Sequence, residues 1–370
     1  MAQTKKLLIL TTGGTIVGNV ASKGSDDPRH TDQDELAAIL KPTSATLSGM
    51  WGVSFELSTY QIADVDSSDI TPQHWTELAD RILAEYDHYD GFIVTHGTNT
   101  MGYTCAALSF ALDNLNKPVV VTGSQIPYGE MASDAQMNLE NALRVALYPY
   151  DGGIRGVVCV FGSHIITGTR VKKETEFDLD AFTSFSRGEL GRIGRIVAMQ
   201  PENLLKHHSY LPRTGVDTAL LAADLAVESS FATRILSFTE FPGLSLELFQ
   251  SVLKHAVEEQ SEPLQGLVFR AFGAGDVSTN LHPCFEYLRD HEIPVVVTTQ
   301  APRGNANFRV NVPGETLAKE NLAIPAHDMS IESITTKLSW LLAKATPYSN
   351  MKAAMFEDRH GEIYVSPDRR

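Results

Sequence analysis

The clearest pattern in the chain is a series of short apolar runs rich in β-branched residues, each followed by a polar turn. Near-continuous apolar runs of this length are typical of parallel strands that are covered by helices on both faces of a sheet. The predicted strands are Leu7–Thr11, Phe92–Thr95, Val119–Thr122, Val157–Phe161, Leu267–Phe272 and Val295–Thr299.

Apolar residues at helical spacing lie between these strands and predict amphipathic helices. The four stripes are Leu108, Ala111, Leu112 and Leu115; Leu139, Ala142, Leu143 and Ala146; Leu246, Phe249 and Leu253; and Ile334, Leu338, Leu341 and Leu342, the last after Ser330 as a helix N-cap. Strands therefore alternate with helices twice along the chain, and the predicted fold class is α/β.

Two domains of unequal size are expected from the length of 370 residues, because a single core usually stops growing below that length. From about Arg187 to Thr218 the apolar pattern gives way to Gly, Arg, His and Pro, which is typical of an interdomain connection. We predict an N-terminal domain over 1–205, a linker over 206–230, a C-terminal α/β domain over 231–345, and a polar, lightly packed tail over 346–370.

Two hydroxyl-rich turns directly follow predicted strands. Thr11–Ile16 places a Gly-Gly pair after the first strand, and Thr95–Thr100 follows the second. Ligands of open α/β sheets bind at the carboxyl ends of strands. By itself the first turn is compatible with a tight turn, hydroxyl chemistry or phosphate binding, although it matches neither common nucleotide-binding fingerprint. Single Thr or Asn residues in the second turn are also explained as helix caps.

Two further polar segments have simple structural explanations when taken alone. Asp66–Asp69 precedes Thr71-Pro72 and an amphipathic stretch, a pattern typical of a helix cap with Pro in the first turn. Lys172 and Lys173 lie in a stretch of mixed charge that is typical of a solvated loop.

The charge balance narrows the class of partner. A net charge of −15 argues against nucleic-acid and anionic-membrane partners, because both require clustered Lys and Arg. No apolar stretch reaches the roughly 20 residues of a membrane-spanning helix, and Gly13-Gly14 interrupts the first apolar run before it resembles a secretion signal. A small-molecule substrate and a soluble protein are therefore expected.

The three cysteines and twelve histidines bear on compartment and metal content. Cys105, Cys159 and Cys284 are far apart and embedded in apolar runs, which favours reduced core thiols and the cytoplasm over a disulfide framework. The histidines form no HExxH motif and no closely spaced Cys/His pairs, so no metal site is predicted.

Taken together, the segments resemble the bacterial-type asparaginase/glutaminase family, and in particular its cytoplasmic type I branch. The resemblance runs through TTGGTIVG, DVDSSDITPQHW, DGFIVTHGTNTMGYT, KPVVVTGSQIP, SDAQMNLENAL, KKETEFDLDAF and AFGAGD before VVVTTQ. It implies a larger N-terminal, mostly parallel sheet domain with a left-handed crossover and a smaller C-terminal parallel α/β domain. It also implies active sites completed between intimate dimers of a homotetramer, and no cofactor.

The resemblance also implies roles for individual residues. Thr15 matches the nucleophilic threonine, next to Gly14 and at the start of a mobile lid, and Thr98 matches the second threonine. Lys173 matches the family lysine. Asp66, Ser67 and Ser68 match the segment that holds the α-carboxylate of the substrate. The implied reaction is hydrolysis of L-asparagine to L-aspartate and ammonia through an acyl-threonine, with Thr98 and Lys173 acting as one base.

The chain departs from the family at three places. Asn99 replaces the aspartate that receives the substrate's α-ammonium, a charge-assisted hydrogen bond worth about 1.5–3 kcal/mol. Asp276 stands where relatives carry a neutral Asn, so we hypothesise that Asn99 and Asp276 together rebuild the ammonium site. The lid, from Val17 to about Asp34, contains no tyrosine to orient the nucleophile, and its polar residues include Ser22, Ser25, His30 and Thr31.

Other functions remain open at this point. An amidohydrolase for glutamine, a D-amino acid amide such as D-asparagine or a longer amide is the main alternative, because Asn99 alters the position that reads the α-amino group. A non-catalytic asparagine or aspartate sensor is an alternative from another class. We rank lower an amidotransferase subunit, which would carry an additional N-terminal domain, and a nucleotide-binding oxidoreductase, which lacks its fingerprint.

Overall fold

The predicted strands assemble into two sheets, one in each of two structural units. A computed structural model describes residues 3–13, 40, 43, 45–149, 153–200 and 224–365. Contacts divide the chain into a first unit, Met1–Ser229, and a second unit, Ser230–Arg370. The predicted α/β class, with a larger mostly parallel sheet and a smaller parallel one, is confirmed. The handedness of the crossover stays a prediction.

The first unit contains an eight-stranded sheet in the order β11-β10-β7-β6-β5-β3-β1-β2. The five strands from β2 to β6 in this order pair in parallel, and the pairs from β6 to β11 are antiparallel. Two short pairs, β4 with β12 and β8 with β9, lie outside this sheet. The strands of the unit are β1 Gln3–Thr11, β2 Val53–Gln61, β3 Gly91–Thr95, β4 Leu112–Asp113, β5 Pro118–Thr122, β6 Gly156–Phe161, β7 His164–Thr167, β8 Val171–Lys173, β9 Phe182–Ser184, β10 Gly191–Ile193, β11 Val197–Met199 and β12 Ala226–Val227.

The central strands β3, β5 and β6 are buried along their whole length, because helices cover this part of the sheet. Three helices of the unit are described over their whole length: α1 Pro72–Glu85, α2 Met101–Ala111 and α3 Ala135–Ala146. Helix α1 begins as predicted, with Thr71 as N-cap and Pro72 in the first turn. A capping box closes this end, since the Thr71 backbone N–H donates to His74 Nδ1 at 3.0 Å.

Two expectations for the first unit require correction. Helix α2 ends at Ala111, so Leu112 lies in β4 and Leu115 lies beyond it, although both side chains are buried. The chain turns there through Asn114, whose φ of 60° is incompatible with a continuing helix. The predicted connection from Arg187 contributes strands β10 and β11 to the large sheet. Residues 206–223 of the predicted linker lie outside the described residues, and the linker stays a prediction.

The second unit contains a four-stranded, entirely parallel sheet in the order β13-β14-β15-β16. Its strands are β13 Ile235–Thr239, β14 Gly266–Ala271, β15 Val295–Thr299 and β16 Ile324–Pro325, and its helices are α4 Leu246–Glu258, α5 His282–Asp290, α6 Val312–Lys319, α7 Ile331–Ala343 and α8 Tyr348–Phe356. Ser330 caps α7 as predicted, since its hydroxyl accepts a hydrogen bond from the Ser333 N–H at 3.2 Å. An aromatic cluster around Phe269 fills the core on one face of the sheet.

The prediction of a lightly packed tail is wrong for residues 348–363. Helix α8 buries Met351 and Met355, and beyond it Glu362 is completely buried. The Glu362 carboxylate forms an ion pair with the equally buried Lys337 of α7, at 2.6 Å between Nζ and Oε1. Lys337 also donates to the Met355 carbonyl at 3.1 Å. The tail therefore neutralises a charge inside the second unit, which a polar sequence pattern does not reveal.

Two further sequence predictions concern the state of the cysteines and the absence of a membrane-spanning helix. Cys105, Cys159 and Cys284 are all buried free thiols, as predicted. Among the helices in the described part of the chain, none combines the length and the hydropathy needed to cross a bilayer.

We expect Lys337→Met to lower the free energy of unfolding of the second unit by about 3–5 kcal/mol at pH 7, because Glu362 would be left buried without its counterion. Burial alone would raise the pKa of Glu362, but Lys337, His360 and the hydrogen bonds to the carboxylate outweigh burial and lower the pKa to about 2. In the wild type this contribution to stability is present above pH 4.5 and is lost as the pH falls toward 2. Denaturant titrations as a function of pH measure both effects.

Lys319→Met is the matched control for this measurement. Lys319 pairs with Glu315 at 2.9 Å on the surface of α6, where its side chain is 74% exposed, so the expected change is at most about 1 kcal/mol. Equal effects of the two substitutions would contradict a special role for the buried pair.

Candidate active site

The ends of β1 and β3 are tied together by one backbone carbonyl. The N–H and the hydroxyl of Thr12 both donate to the Thr95 carbonyl, each at 3.1 Å. The Thr12 carbonyl in turn accepts from the Val65 N–H at 3.2 Å. Three segments of the chain, the turns after β1 and β3 and the stretch after β2, therefore meet at one edge of the parallel sheet.

Two glycines permit this close approach. Gly13 has a φ of +94°, and a Cβ there would lie 2.5 Å from both the N and the O of Val65. A Cβ on Gly97 would lie 2.8 Å from Cβ and Oγ of Ser67. Any larger residue at either position would push the segments apart.

Ser67–Asp69 form a short 3₁₀ turn with Asp66 as its N-cap. The Asp66 carboxylate accepts hydrogen bonds from the Ser68 hydroxyl at 2.5 Å and the Ser68 N–H at 2.8 Å, and these bonds lower the pKa of Asp66. Ser67 is buried, and its Oγ accepts from the Asn99 N–H at 3.2 Å while its carbonyl accepts from the Thr100 hydroxyl at 2.6 Å. The three residues predicted from the 66–68 segment are thus joined to the turn after β3.

Lys173 reaches the same place from the hairpin of β8 and β9. Its Nζ lies 2.8 Å from Thr98 Oγ1 and 3.0 Å from Asn99 Oδ1. The lysine and both turn residues were predicted from sequence, but their proximity follows from the pairing of Lys173 with Phe182 across the hairpin. The structure brings Thr98, Asn99 and Lys173 together.

Lys173 is half-buried, and neither of the two groups that its Nζ contacts is a carboxylate. Burial lowers the pKa of Lys173, while Glu176 acts in the opposite direction. The amide oxygen of Asn99 accepts a hydrogen bond from this amine but carries no charge, so it stabilises the ammonium form less than a carboxylate at the same position would. The arrangement suits an amine that exchanges a proton with the Thr98 hydroxyl.

Sequence reasoning missed the buried hydrogen-bond chain that supports the turn after β3. His96 Nδ1 lies 2.7 Å from the Gly97 carbonyl, so this nitrogen carries the proton, and Nε2 accepts from the Thr104 hydroxyl at 2.8 Å. Trp75 donates to the same hydroxyl at 3.0 Å. Burial lowers the pKa of His96 to about 4, which keeps it neutral. The adjacent HG letters were visible in the sequence, but their partners were not.

Gln125 is a second residue without a predicted role. Its side-chain amide donates to the carbonyls of Glu176 and Asp178 at 2.9 and 3.2 Å, and its backbone N–H donates to the Asp134 carboxylate. It therefore links the end of β5 to the loop that follows Lys173. Its place after a strand in VVVTGSQ was the only signal for it in the sequence.

Three predicted site residues remain, Gly14, Thr15 and Asp276. Gly14, Thr15 and the lid from Val17 to Asp34 are outside the described residues. Asp276 belongs to the second unit, in the turn after β14, where its Oδ2 accepts from the Asn311 amide at 2.6 Å. In the described part of the chain, no group of three or more His, Cys, Asp or Glu side chains is placed to hold a metal ion.

Comparison with known proteins assigns the chain to a protein family. The asparaginase N-terminal domain profile matches residues 6–204, and the glutaminase/asparaginase C-terminal domain profile matches residues 234–355. L-asparaginase 1 of Escherichia coli is 35% identical over 82% of this chain and 83% of its own length. L-asparaginase of Thermococcus kodakarensis is 31% identical over 97% of this chain and 99% of its own length.

Some similar proteins are amidotransferase subunits rather than asparaginases. A glutamyl-tRNA(Gln) amidotransferase subunit of Aeropyrum pernix is 29% identical over 97% of this chain and 79% of its own length. Among solved structures, L-asparaginase I of Vibrio cholerae is 31% identical, with a TM-score of 0.79 over 98% of this chain and 100% of that structure. The family match spans both units and confirms the resemblance read from the motifs, together with a small-molecule amide as the class of substrate. The chain belongs to the asparaginase family and is an amidohydrolase.

Proposed function

We propose that this protein hydrolyses L-asparagine to L-aspartate and ammonia through an acyl intermediate on Thr15. The observation that carries the proposal is the 2.8 Å contact between Lys173 Nζ and Thr98 Oγ1, at a lysine whose pKa is lowered by burial. A neutral lysine held by a threonine is a competent general base, and a threonine hydroxyl needs such a base to become a nucleophile.

In the proposed reaction, the Thr98–Lys173 pair accepts a proton as Thr15 attacks the side-chain amide carbon. Backbone N–H groups of the Gly14 turn and of Thr98 stabilise the resulting oxyanion. The C–N bond then breaks, the amide nitrogen takes up a proton and leaves as ammonia, and the acyl group stays on Thr15. Water hydrolyses this ester to release aspartate and restore the threonine.

The α-carboxylate of the substrate is assigned to the Asp66–Ser68 segment. The Ser67 hydroxyl accepts from the Asn99 N–H and keeps its own proton to donate, whereas both donors of Ser68 bind Asp66 in the absence of substrate. The α-ammonium is assigned to Asn99 together with Asp276. Asn99 Oδ1 already accepts from Lys173 Nζ at 3.0 Å, so by itself it offers a weak site for a second cation. A carboxylate such as Asp276 is the stronger partner for an ammonium group.

The proposal includes a cytoplasmic location and a homo-oligomeric state. The three buried free cysteines favour a reducing, cytoplasmic compartment. Met131 and Phe177 are 93% and 87% exposed, and Phe177 adjoins the carbonyls that bind Gln125. Large exposed apolar side chains of this kind are typical of protein interfaces, and they support a homo-oligomer, a dimer or a tetramer of intimate dimers.

Glutamine hydrolysis is a second candidate, favoured by the match of residues 234–355 to the glutaminase/asparaginase C-terminal domain. Asn99 is also compatible with an amide whose α-amino group is placed differently, such as D-asparagine. A binding protein that senses asparagine or aspartate has less support, because such a protein does not require the Thr98–Lys173 pair.

We expect the wild type to release ammonia from L-asparagine and Thr15→Ala to release none above background. Thr98→Ala and Lys173→Met should each lower kcat by about 10²–10⁴-fold, because each removes one member of the Thr98–Lys173 pair that accepts the proton. A coupled ammonia assay at saturating substrate measures these effects, with L-glutamine and D-asparagine tested in parallel.

Lys172→Met is the matched control, because it removes a lysine one position earlier in β8, on the opposite side of the strand. Its kcat should stay within about twofold of the wild type, the size expected for a surface change. Activity retained in Thr15→Ala would exclude the acyl-threonine mechanism. If the wild type releases no ammonia from any of the amides, a non-catalytic protein that senses asparagine or aspartate is favoured instead.

We expect Asn99→Asp to move the acidic limb of the pH profile of kcat to higher pH. Lys173 acts when neutral, so activity rises as the pH rises through its pKa. A carboxylate 3.0 Å from Nζ would favour the ammonium form, raise that pKa and lower kcat at neutral pH. Using kcat at saturation separates this effect from any change in substrate binding. Asn99→Ala, which adds no charge, should not shift the limb upward, and an unmoved limb in Asn99→Asp would contradict this role for Lys173.

We expect Asp276→Asn to raise KM for L-asparagine about tenfold or more, since it removes a charge-assisted hydrogen bond to the α-ammonium. The value of kcat should change much less. Initial-rate kinetics provide the measurement, with Asp290→Asn, an exposed carboxylate of the same unit, as the control. An unaltered KM would exclude Asp276 from the ammonium site.

A further inference from the structure

The second unit contains a cavity that shares none of the predicted site residues. It has a volume of about 410 Å³ and lies beside strand β16, between residues of α6 and α8. Phe308, Pro325 and Phe356 form apolar parts of its wall. The volume is within the range of small-molecule sites, which are typically apolar with a few convergent polar groups.

Two buried polar side chains of the wall have donor or acceptor capacity that the protein does not use. Asn307 is 4% exposed, and its Oδ1 accepts from the Arg309 N–H at 3.1 Å. His327 is 6% exposed and stacks edge-on against Phe356 at 5.1 Å between ring centroids. No hydrogen bond joins the Asn307 amide NH₂ or the His327 ring to another described residue, and neither group is among the fully buried unsatisfied atoms, so both face the open cavity.

Both groups are therefore open to water or to a ligand in the cavity. The NH₂ group of Asn307 can only donate, and the ring of His327 can donate through one nitrogen. Burial lowers the pKa of His327, with Arg309 acting in the same direction and Asp328 against it. The ring is therefore a neutral donor rather than a cation.

Positive charge lines the same cavity without a matching carboxylate. Arg309 and Lys352 both contribute to the wall, and neither side chain makes an ion pair or hydrogen bond with another described residue. No Asp or Glu is among the described lining residues. The nearby Asp328 carboxylate accepts from the Tyr364 N–H at 2.7 Å and does not reach the wall. This excess of donors and cations contrasts with the net charge of −15 for the whole chain.

We propose that this cavity binds a small aromatic monocarboxylate. The aromatic body would pack against Phe308, Pro325 and Phe356, and the carboxylate would meet Arg309 and Lys352, with Asn307 and His327 as further donors. A free amino acid fits less well, because the wall offers no anion for its ammonium group. An inorganic anion would leave the apolar wall uncovered.

Three probes with one indole body test the proposal by isothermal titration calorimetry on the full chain. Indole-3-acetate carries the carboxylate, indole-3-ethanol is neutral and tryptamine is a cation. We expect measurable binding of indole-3-acetate and at least about tenfold weaker binding of the other two, as befits charge-assisted hydrogen bonds. Equal binding of the acid and the alcohol, or no binding of the acid at millimolar concentration, would overturn the proposal.

Substitutions in the cavity wall test whether indole-3-acetate binds in this cavity. The double substitution Arg309→Gln with Lys352→Gln should weaken indole-3-acetate binding at least about tenfold. Arg303→Gln with Lys254→Gln removes the same charge from positions of the same unit outside the cavity wall and should leave binding unchanged. Ala318→Trp, which fills the cavity without changing charge, should also abolish binding, provided that its unfolding midpoint matches the wild type. If the first double variant and Ala318→Trp both bind normally, the anion site lies elsewhere and the proposal is wrong.

Discussion

The candidate site depends on the close approach of two parallel strand ends. One carbonyl, that of Thr95, accepts both the backbone and the side-chain donor of Thr12, and so the turns after β1 and β3 cannot move independently. Gly13 and Gly97 allow the segment after β2 to pack directly against these turns. Backbone groups at this edge bind one another and the side chains of Thr12, Ser67 and Thr100, whereas the side chains of Thr98 and Asn99 both contact Lys173.

The electrostatic character of the site follows from this packing and from one substitution. Lys173 is brought out of full contact with water, which disfavours its charged form, and Asn99 supplies an oxygen without a charge. The direction of this shift favours the neutral amine that the proposed base requires. In the proposed reaction, the same amide is a weaker partner than a carboxylate for the α-ammonium of the substrate, so the base and the substrate would place opposite demands on one residue.

The second unit contains both a buried ion pair and basic side chains without a described partner. Glu362 and Lys337 are completely buried, and each satisfies the other. Arg309 and Lys352, by contrast, border a cavity whose buried donors have no described partner. A buried pair of this kind stabilises only while both members are present, whereas unpaired donors around a cavity are suited to an external anion.

Much of the fold could be read from the sequence because it depends on local pattern. The β-branched runs at Val119–Thr122 and Val295–Thr299 are buried on both faces, and only parallel strands under helices require that composition. Caps such as Thr71-Pro72 and Ser330 act within a few residues of themselves and were equally visible. Taken together, the ordered motifs along the chain, including those around Thr98 and Lys173, were sufficient to indicate an asparaginase-type amidohydrolase.

What the sequence left open was decided by contacts between distant positions. The 2.8 Å approach of Lys173 to Thr98 joins residues 75 positions apart, and the burial of Glu362 depends on a lysine 25 positions earlier. Helix α2 was predicted too long, since a continuing apolar stripe cannot show that Asn114 turns the chain and that Leu112 pairs with β12. Residue types and local spacing thus determined the class, the strands and the candidate chemistry. Only tertiary structure decided which polar groups lose their water, because desolvation is a property of the packed surroundings and not of the segment itself.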